Sequence, residues 1–546
     1  MTRHILYLIR ALIIVAFLIL FVRLFELQVI KGGYYKDLAD GNRIRRVVIK
    51  APRGDILARG GEVLSKNSDL EKWLFFNYEK GYYVETDSPD KKLTKINSWI
   101  RKYPLRDSAS HITGYVGLVN TDEAGKTDAQ CINKGMRSAD DTIGRSGLEE
   151  FYDCRLRGDD GEMLIEVEAD GSFIRELGTK EPEKGEDIKT TIDYPLQEYV
   201  STLFDGVTGA IIASDPTGQI LAMYSSPSYD PNLFVEGSEK TIEILNDDKL
   251  PLFNRSISGK YPPGSIYKPL VATAALETKV IDRGYHYQDT GSITFSTAYG
   301  NYSFSNWYFT QYGGSEGSID VTRAIARSTD TFFYKIGELT GIDNIVSWSQ
   351  KFGLSQKTGI DLSGEVEGLV PNPKWKEEVK GERWFLGNTY HLSIGQGDLL
   401  VTPIAIHSAI SAISNGGELC KPHFVSGFET GYNPNCLDLG IEESNTELVK
   451  EGMRKACSAG GTGYTFFDFE EKSGVEVACK TGTAQVGTED KTHAWFTVFG
   501  PVDEPEIVLT ILVEEGGEGS KVAGPIARQV FDFWYKDRVQ DTNEHE

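Results

Sequence analysis

Apolar positions are distributed unevenly along this chain. Residues 5–22 are apolar apart from Arg10, and 11–22 are unbroken. That length suits one membrane-spanning helix, which needs about 20 apolar residues. Arg10 lies near one end, where its stem can reach the headgroups. No small-residue cleavage site follows; the chain runs on as Arg23-Leu-Phe-Glu-Leu-Gln-Val-Ile-Lys31. The pattern predicts an uncleaved anchor rather than a removed leader. Arg3 and Arg10 are matched by Arg23, Lys31 and Lys36 on the other side, so flanking charge leaves the orientation open.

The periodicity then shortens. Between 31 and 184 the apolar runs alternate and are brief, as in Arg46-Val-Val-Ile49 and Met163-Leu-Ile-Glu-Val167. Pro52-Arg-Gly54, Gly60-Gly61, Gly158-Asp-Asp-Gly161 and Asp170-Gly171 punctuate them. This predicts small twisted sheets and few long helices. Glu181-Pro-Glu-Lys-Gly-Glu186 reads as a linker. Beyond it, two apolar runs flank Asp215-Pro-Thr-Gly218 and predict a hairpin. Residues 494–499 and 506–513 predict two more strands, and 526–535 a closing helix. Strands at both ends with helical stretches between them predict an antiparallel sheet flanked by helices, hence an α+β fold. The segment 537–546 reads as a polar tail.

Size and charge narrow the function. A chain of 546 residues is too long for one core and suits two or three domains. It carries 57 basic and 80 acidic residues, a formal charge of −23, which argues against a nucleic-acid partner. The six cysteines form no Cys-x-x-Cys pair, so no metal site is expected. Cys131 with Cys154 and Cys420 with Cys436 are loop-closing possibilities, with free buried thiols the alternative. Cys479, on a predicted core strand, reads as a packed small hydrophobe. His286, His391, His407 and His493 lack metal-ligand spacing and read as structural.

Three short strings carry the chemistry. Ser265-Ile-Tyr-Lys268 follows Tyr261-Pro-Pro-Gly264 and opens an apolar stretch, which predicts a helix start with Ser265 and Lys268 on one face. A serine hydroxyl needs a neighbouring base, and lysine serves when burial or nearby cations lower its pKa. Alone, Ser265 would read as an N-cap. Ser328-Thr-Asp330 lies between two helical patterns; Ser328 could relay a proton and Asp330 could hold Lys268, although helix capping explains the string equally well in isolation. Lys480-Thr-Gly-Thr483 ends an alternating strand. Lys480, Thr481 and Thr483 can hold a peptide carboxylate. Gly482 leaves room for a substrate backbone to pair as an added strand. Ser393-Ile-Gly-Gln-Gly397 is glycine-rich but lacks the Lys-Ser/Thr of a phosphate loop. No cofactor is expected. Together the strings describe a serine acyltransferase acting on peptide carbonyls or β-lactams.

With these motifs the chain resembles the class B penicillin-binding proteins, monofunctional D,D-transpeptidases of bacterial cell-wall synthesis. Arg53-Gly-Asp-Ile56, Arg59-Gly-Gly61 and Gly144-Arg-Ser-Gly-Leu-Glu149 resemble the family's pedestal motifs. The second motif, Ser-x-Asp rather than Ser-x-Asn, is similar to that of the elongation-type subgroup. The resemblance implies a cytoplasmic stub (1–4), an inner-membrane anchor (5–22), a β-rich pedestal of the dimerisation type (23–184) and an extracytoplasmic transpeptidase domain (185–536) with the serine β-lactamase-like fold. It implies Ser265 as nucleophile, Lys268 as base, Ser328 as relay, Lys480 and Thr483 as carboxylate binders, and the Ser265 and Thr483 N–H groups as oxyanion hole. Implied partners are D-Ala-D-Ala stem peptides, β-lactams, the lipid bilayer and a rod-shape membrane glycosyltransferase with the elongation machinery. A D,D-carboxypeptidase, an anchored β-lactamase or β-lactam sensor, and a non-enzymatic scaffold are the competing readings. A scaffold would be expected to have lost Ser265 or Lys480.

Overall fold

The computed structural model describes residues 2–77, 82–86, 94–126, 131–168, 173–297, 300–425, 436–487 and 491–536. The Asp170-Gly171 turn and the polar tail 537–546 fall outside them. An α-helix, Thr2–Phe25, contains the long apolar run and passes into a π turn, Glu26–Ile30. At 1.5 Å per residue its 24 residues extend about 36 Å, enough to cross a hydrocarbon core of about 30 Å. Its apolar side chains, Leu12, Phe17 and Phe21 among them, all face outward. It is the one helix among the described residues long and apolar enough to span a membrane.

The β-rich unit follows. The two alternating runs noted in the sequence pair with each other: Ile44–Ile49 lies antiparallel to Gly161–Val167, with Val47 opposite Met163, and Phe173–Lys180 completes a three-stranded sheet. A second sheet is built around the long strand Val63–Asn77. The Arg and Glu of the glycine-turn motifs meet inside this unit. Arg53 reaches Glu149 at 2.9 Å and Asp153 at 2.8 Å, Arg101 reaches Glu149 at 2.6 Å, and Arg137 pairs with Asp153. The run 181–186, expected as a linker, is instead laced into the unit. Gly185 N–H donates to the Pro52 carbonyl, and Glu186 N–H to that of Arg155. A Cβ on Gly54 or Gly185 would collide with the opposing backbone. Tight backbone approach, not chain freedom, is what these glycines provide.

The larger unit centres on a five-stranded sheet in the order Ile220–Ser226, Gly209–Ser214, Ile507–Val513, Lys491–Gly500, Ala478–Val486. Every pairing is antiparallel, and the expected hairpin and the two late strands are its first, second, third and fourth members. Three of these strands are buried along their whole length, since helices cover both faces. Tyr194–Leu203 and Ala523–Trp534 pack one cluster of apolar side chains. Lys268–Glu277 and Pro403–Ser414 pack the other, together with helices Val321–Arg327, Asp330–Thr340 and Glu443–Ala456 of a helical lobe. A third cluster joins the two units: Ile56, Leu64 and Leu148 of the first pack with Ile212, Met223 and Phe424 of the second.

All six cysteines are paired, as Cys131–Cys154, Cys420–Cys436 and Cys457–Cys479. The two loop-closing pairs are formed. The reading of Cys479 as an unbonded hydrophobe is corrected: helix Glu443–Ala456 ends beside the strand, bringing Cys457 within 5.6 Å between Cα atoms. By its sequence pattern Cys479 belongs in the core, but its partner, just past the end of that helix, lies 22 residues earlier and has no local signal. His407 is structural as expected, buried between the Ser214 and Thr510 hydroxyls at 2.8 and 3.0 Å. Burial lowers its pKa to about 3, so the ring is neutral.

Candidate active site

Three elements converge from distant parts of the chain. The first is a 3₁₀ turn, Gly264–Tyr267, running directly into helix Lys268–Glu277 with Pro269 in its first turn. Gly264 holds φ +57°, and a Cβ there would lie 2.8 Å from the Thr483 carbonyl oxygen. Only glycine permits both the backbone angle and the approach. The turn thus lies against strand Ala478–Val486, with Ser265 half-buried at its exposed side. Among the described residues the Ser265 hydroxyl makes no hydrogen bond, so its proton is not committed elsewhere.

Lys268 is fully buried one turn on. Its ammonium donates to Asp330 Oδ1 at 2.7 Å, to the Ser328 carbonyl at 2.8 Å and to Ser328 Oγ at 3.1 Å. Three donors meet three acceptors. Burial lowers the Lys268 pKa, and Asp330 offsets part of that shift. The acceptors come from the second element, the link between helices Val321–Arg327 and Asp330–Thr340. Ser328 caps the first helix at φ +56°, ψ 38°, a left-handed conformation uncommon for a non-glycine residue. That angle turns both its carbonyl and its hydroxyl toward Lys268. Strain of this kind is found at functional sites.

Asp330 is positioned by residues that the sequence did not single out. Its Oδ2 accepts from Trp307 N–H at 2.9 Å, and its own N–H donates to Asn306 Oδ1 at 3.1 Å. Neither residue belongs to a recognisable string. The glycine-rich turn set aside as a phosphate loop also lines this region: Gly395 O accepts from Gly264 N–H at 2.8 Å, and Gln396 Nε2 donates to the Thr483 carbonyl at 3.3 Å. Its glycines were visible in the sequence; their purpose, backbone contact with the turn that carries Ser265, was not.

The third element is the edge strand Ala478–Val486. Lys480 is fully buried, and its ammonium donates to the Thr481 carbonyl at 3.0 Å. Among the described residues it has no carboxylate partner. Burial, and then the charge on Lys268, hold its pKa well below the usual lysine value, with Asp330 acting in the opposite sense. Thr481 hydrogen-bonds Thr462 at 2.9 Å, while Thr483 is exposed and accepts from Gly519 N–H at 3.3 Å. Gly482 departs from expectation in its reason. A Cβ there would lie 2.8 Å from Trp495 Cβ and 3.0 Å from Ile266, so its smallness admits the protein's own nucleophile turn.

Comparison with known proteins agrees with this geometry. A family model described as the penicillin binding protein transpeptidase domain matches residues 208–532, and one for the penicillin-binding protein dimerisation domain matches 77–190. The peptidoglycan D,D-transpeptidase MrdA of Salmonella typhimurium is 30% identical over an alignment of 609 positions, gaps included, covering 97% of this chain and 95% of the relative. The penicillin-binding protein PBP2 of Helicobacter pylori, solved in complex with MreC, is 25% identical with a TM-score of 0.77, covering 90% of this chain and 99% of that one. A chain from a peptidoglycan synthase complex described as coordinating polymerization and crosslinking is 28% identical with a TM-score of 0.73, covering 97% and 98%. The motifs, the fold and these matches agree: the chain belongs to the penicillin-binding protein transpeptidases, in their elongation-type class B branch.

Proposed function

We propose that this protein is a peptidoglycan D,D-transpeptidase that works through a Ser265 acyl-enzyme and is acylated by β-lactams at the same residue. The observation that carries the reading is the buried Lys480 beside the Ser265–Lys268 turn, which has no carboxylate partner among the described residues. A cation left unpaired at this depth is costly unless an anionic ligand completes it. The terminal carboxylate of a D-Ala-D-Ala peptide is such an anion, and the Thr481 and Thr483 hydroxyls flank it. Strand Ala478–Val486, being an edge, can take the peptide as an added strand.

In the forward step the unprotonated form of Lys268, which burial favours relative to an exposed lysine, takes the Ser265 proton, and the oxygen attacks the penultimate D-Ala carbonyl. The Ser265 and Thr483 N–H groups receive the negative charge that develops on the carbonyl oxygen. The C–N bond to the last D-Ala breaks, and Ser328 passes the proton to the departing amine. Asp330 keeps Lys268 aimed. An amine from a neighbouring strand then attacks the ester; the C–N bond forms, the C–O bond to Ser265 breaks, and the amine's proton passes by way of Lys268 to the Ser265 oxygen, leaving the cross-link and free Ser265.

The domain division expected from sequence completes the proposal: anchor 5–22, pedestal 23–184, catalytic unit 185–536. The three disulfides all follow the anchor helix, which supports an oxidising, extracytoplasmic setting for the two folded units. The pedestal and anchor would dock a membrane glycosyltransferase of the elongation machinery. The similar chain from a peptidoglycan synthase complex that coordinates polymerization and crosslinking supports that role, and the Helicobacter pylori PBP2 bound to MreC supports a protein partner more generally.

The test uses the full chain in detergent. Labelled penicillin should mark wild type at Ser265, and Ser265→Ala should lose all label while melting normally. With a pentapeptide donor and an amine acceptor, mass spectrometry should show the cross-linked product. Undiminished labelling of Ser265→Ala would remove the assignment, and release of D-Ala without cross-linked product would make the enzyme a carboxypeptidase.

A further inference from the structure

The loop that delivers Ser265 is fixed by more than its glycine. Tyr261 pairs with Val401 through both backbone groups at 2.9 Å, the Pro262 carbonyl accepts from Trp495 Nε1 at 3.0 Å, and Gly264 N–H donates to Gly395 O. A fourth hold is of another kind. The Tyr261 hydroxyl donates to Glu514 Oε1 at 2.6 Å, and Arg255 Nε donates to the same oxygen at 3.0 Å. Arg255 is itself anchored to the Lys249 and Leu250 carbonyls at 2.8 and 3.3 Å. The Tyr261 ring sits edge-on to His493 and Trp495. Burial and Glu514 together push the Tyr261 phenol well above its usual value, so it stays a donor.

Glu514 immediately follows central strand Ile507–Val513, and its N–H is fixed to the Thr208 carbonyl at 2.8 Å. It connects a fully buried central strand to the loop four residues before the nucleophile. Hydrogen bonds to a charged acceptor are roughly twice as strong as neutral ones. The other three holds on this loop are neutral, so the Tyr261–Glu514 contact is the strongest single hydrogen bond of the set. A misplacement of about 1 Å at a reacting atom can reduce rate on the order of a hundredfold.

We infer that Glu514 is a positioning residue for acylation: acting through the Tyr261 hydroxyl, and held in turn by Arg255, it sets where Ser265 stands relative to the bound carbonyl. The inference rests on the reading of Ser265 as nucleophile. Neither Tyr261 nor Glu514 touches substrate in this scheme, and neither belongs to the three catalytic strings.

The test measures time-resolved acylation of the full chain by a fluorescent penicillin over a concentration series. This separates the saturating acylation rate from the half-saturating concentration. Tyr261→Phe removes one hydroxyl and keeps the ring against His493 and Trp495. Its saturating rate is expected to fall at least about tenfold, with half-saturation within about twofold of wild type. Glu514→Ala should match it, and Glu514→Gln, whose amide oxygen still accepts, should recover part of the rate. Rates are normalised to the folded fraction from thermal melts. Saturating rates within twofold of wild type after that normalisation would overturn the inference, because the contact would then only stabilise the fold. If Glu514→Ala does not fold, Tyr261→Phe decides alone. Ser265→Ala is run in parallel: label on it would sink the nucleophile assignment, whereas loss of label there with an unaffected Tyr261→Phe would sink this inference alone.

Discussion

Two clusters of buried charge sit in this molecule, and they are built on opposite rules. In the pedestal, Glu149 and Asp153 are each held by two guanidiniums, and Glu149 also accepts from Ser65 at 3.0 Å. Burial alone would push Glu149 up, but Arg101 and Arg53 outweigh it and hold the carboxyl below its usual value. In the catalytic unit two buried ammoniums stand near one carboxylate: Asp330 pairs with Lys268, and among the described residues Lys480 has no carboxylate partner. Both lysines are driven toward their neutral forms. In the pedestal every buried guanidinium reaches a carboxylate, with Asp55 3.9 Å from Arg101 as a further anion. In the catalytic unit one buried ammonium reaches none among the described residues, and a substrate anion is suited to complete it.

The strongest way to break this contrast is to open the closed cluster. Glu149→Gln keeps the shape but strands Arg53 and Arg101 without their shared carboxylate. Losing one partner of a buried ion pair costs about 3–5 kcal/mol. Because apolar side chains of both units pack in one cluster, the loss should appear in the melting of the whole chain. Urea denaturation should show the full drop, while the protein that remains folded should still take penicillin. A loss below about 1 kcal/mol would mean that the pedestal cluster is not the closed network described here.

Removing the unpaired cation should do the reverse. Lys480→Met keeps the stem length and deletes a buried ammonium with no carboxylate partner. Stability should hold or rise by about 1–2 kcal/mol, since relieving an uncompensated charge is favourable. Acylation should fall roughly a hundredfold, because truncating one partner of a buried charge pair, here with the substrate carboxylate, costs about 2–5 kcal/mol. Opposite signs on stability and rate are the signature of a functional charge. A Lys480→Met chain that unfolds more easily than wild type by about 2 kcal/mol would show Lys480 to be structural.

What the sequence disclosed follows the range of the forces involved. The anchor run, the Asp215–Gly218 hairpin and the late strands are local patterns, and they formed where expected. The Ser265 and Lys268 spacing is local too, and the structure keeps the two residues on consecutive turns. The partners of those residues are not local. Asn306 and Trp307 reach Asp330 from 24 and 23 residues away, and Glu514 reaches Tyr261 from 253. A single chain gives no local trace of such pairs, because tertiary packing, not propensity, selects them. Glycines mislead for the same reason. Gly482 reads in the sequence as room for a ligand, yet the space beside it is filled by the protein's own side chains and backbone.

The smallest effect sharpens the comparison most, because it assigns the two clusters to opposite ends of the pH scale. Lys480 has a folded pKa below its unfolded one, so between those values the unfolded chain binds more protons. Stability must therefore rise with pH across that window, and the cost of the buried charge is fully present below it. Lys268 contributes with the same sign. Glu149 is depressed, so its contribution is present above the usual glutamate range and is lost as pH falls through its folded value. One group alone changes stability by at most about 1.4 kcal/mol per pH unit. Melting midpoints of the full chain from acid to alkaline pH, taken as differences from wild type, isolate each group. Lys480→Met should flatten the alkaline rise and leave the acid limb unchanged; Glu149→Gln should weaken the acid dependence and leave the alkaline limb unchanged. An alkaline limb that responds to Glu149→Gln, or one that ignores Lys480→Met, would mean that the two clusters do not differ in the way their ion pairs suggest.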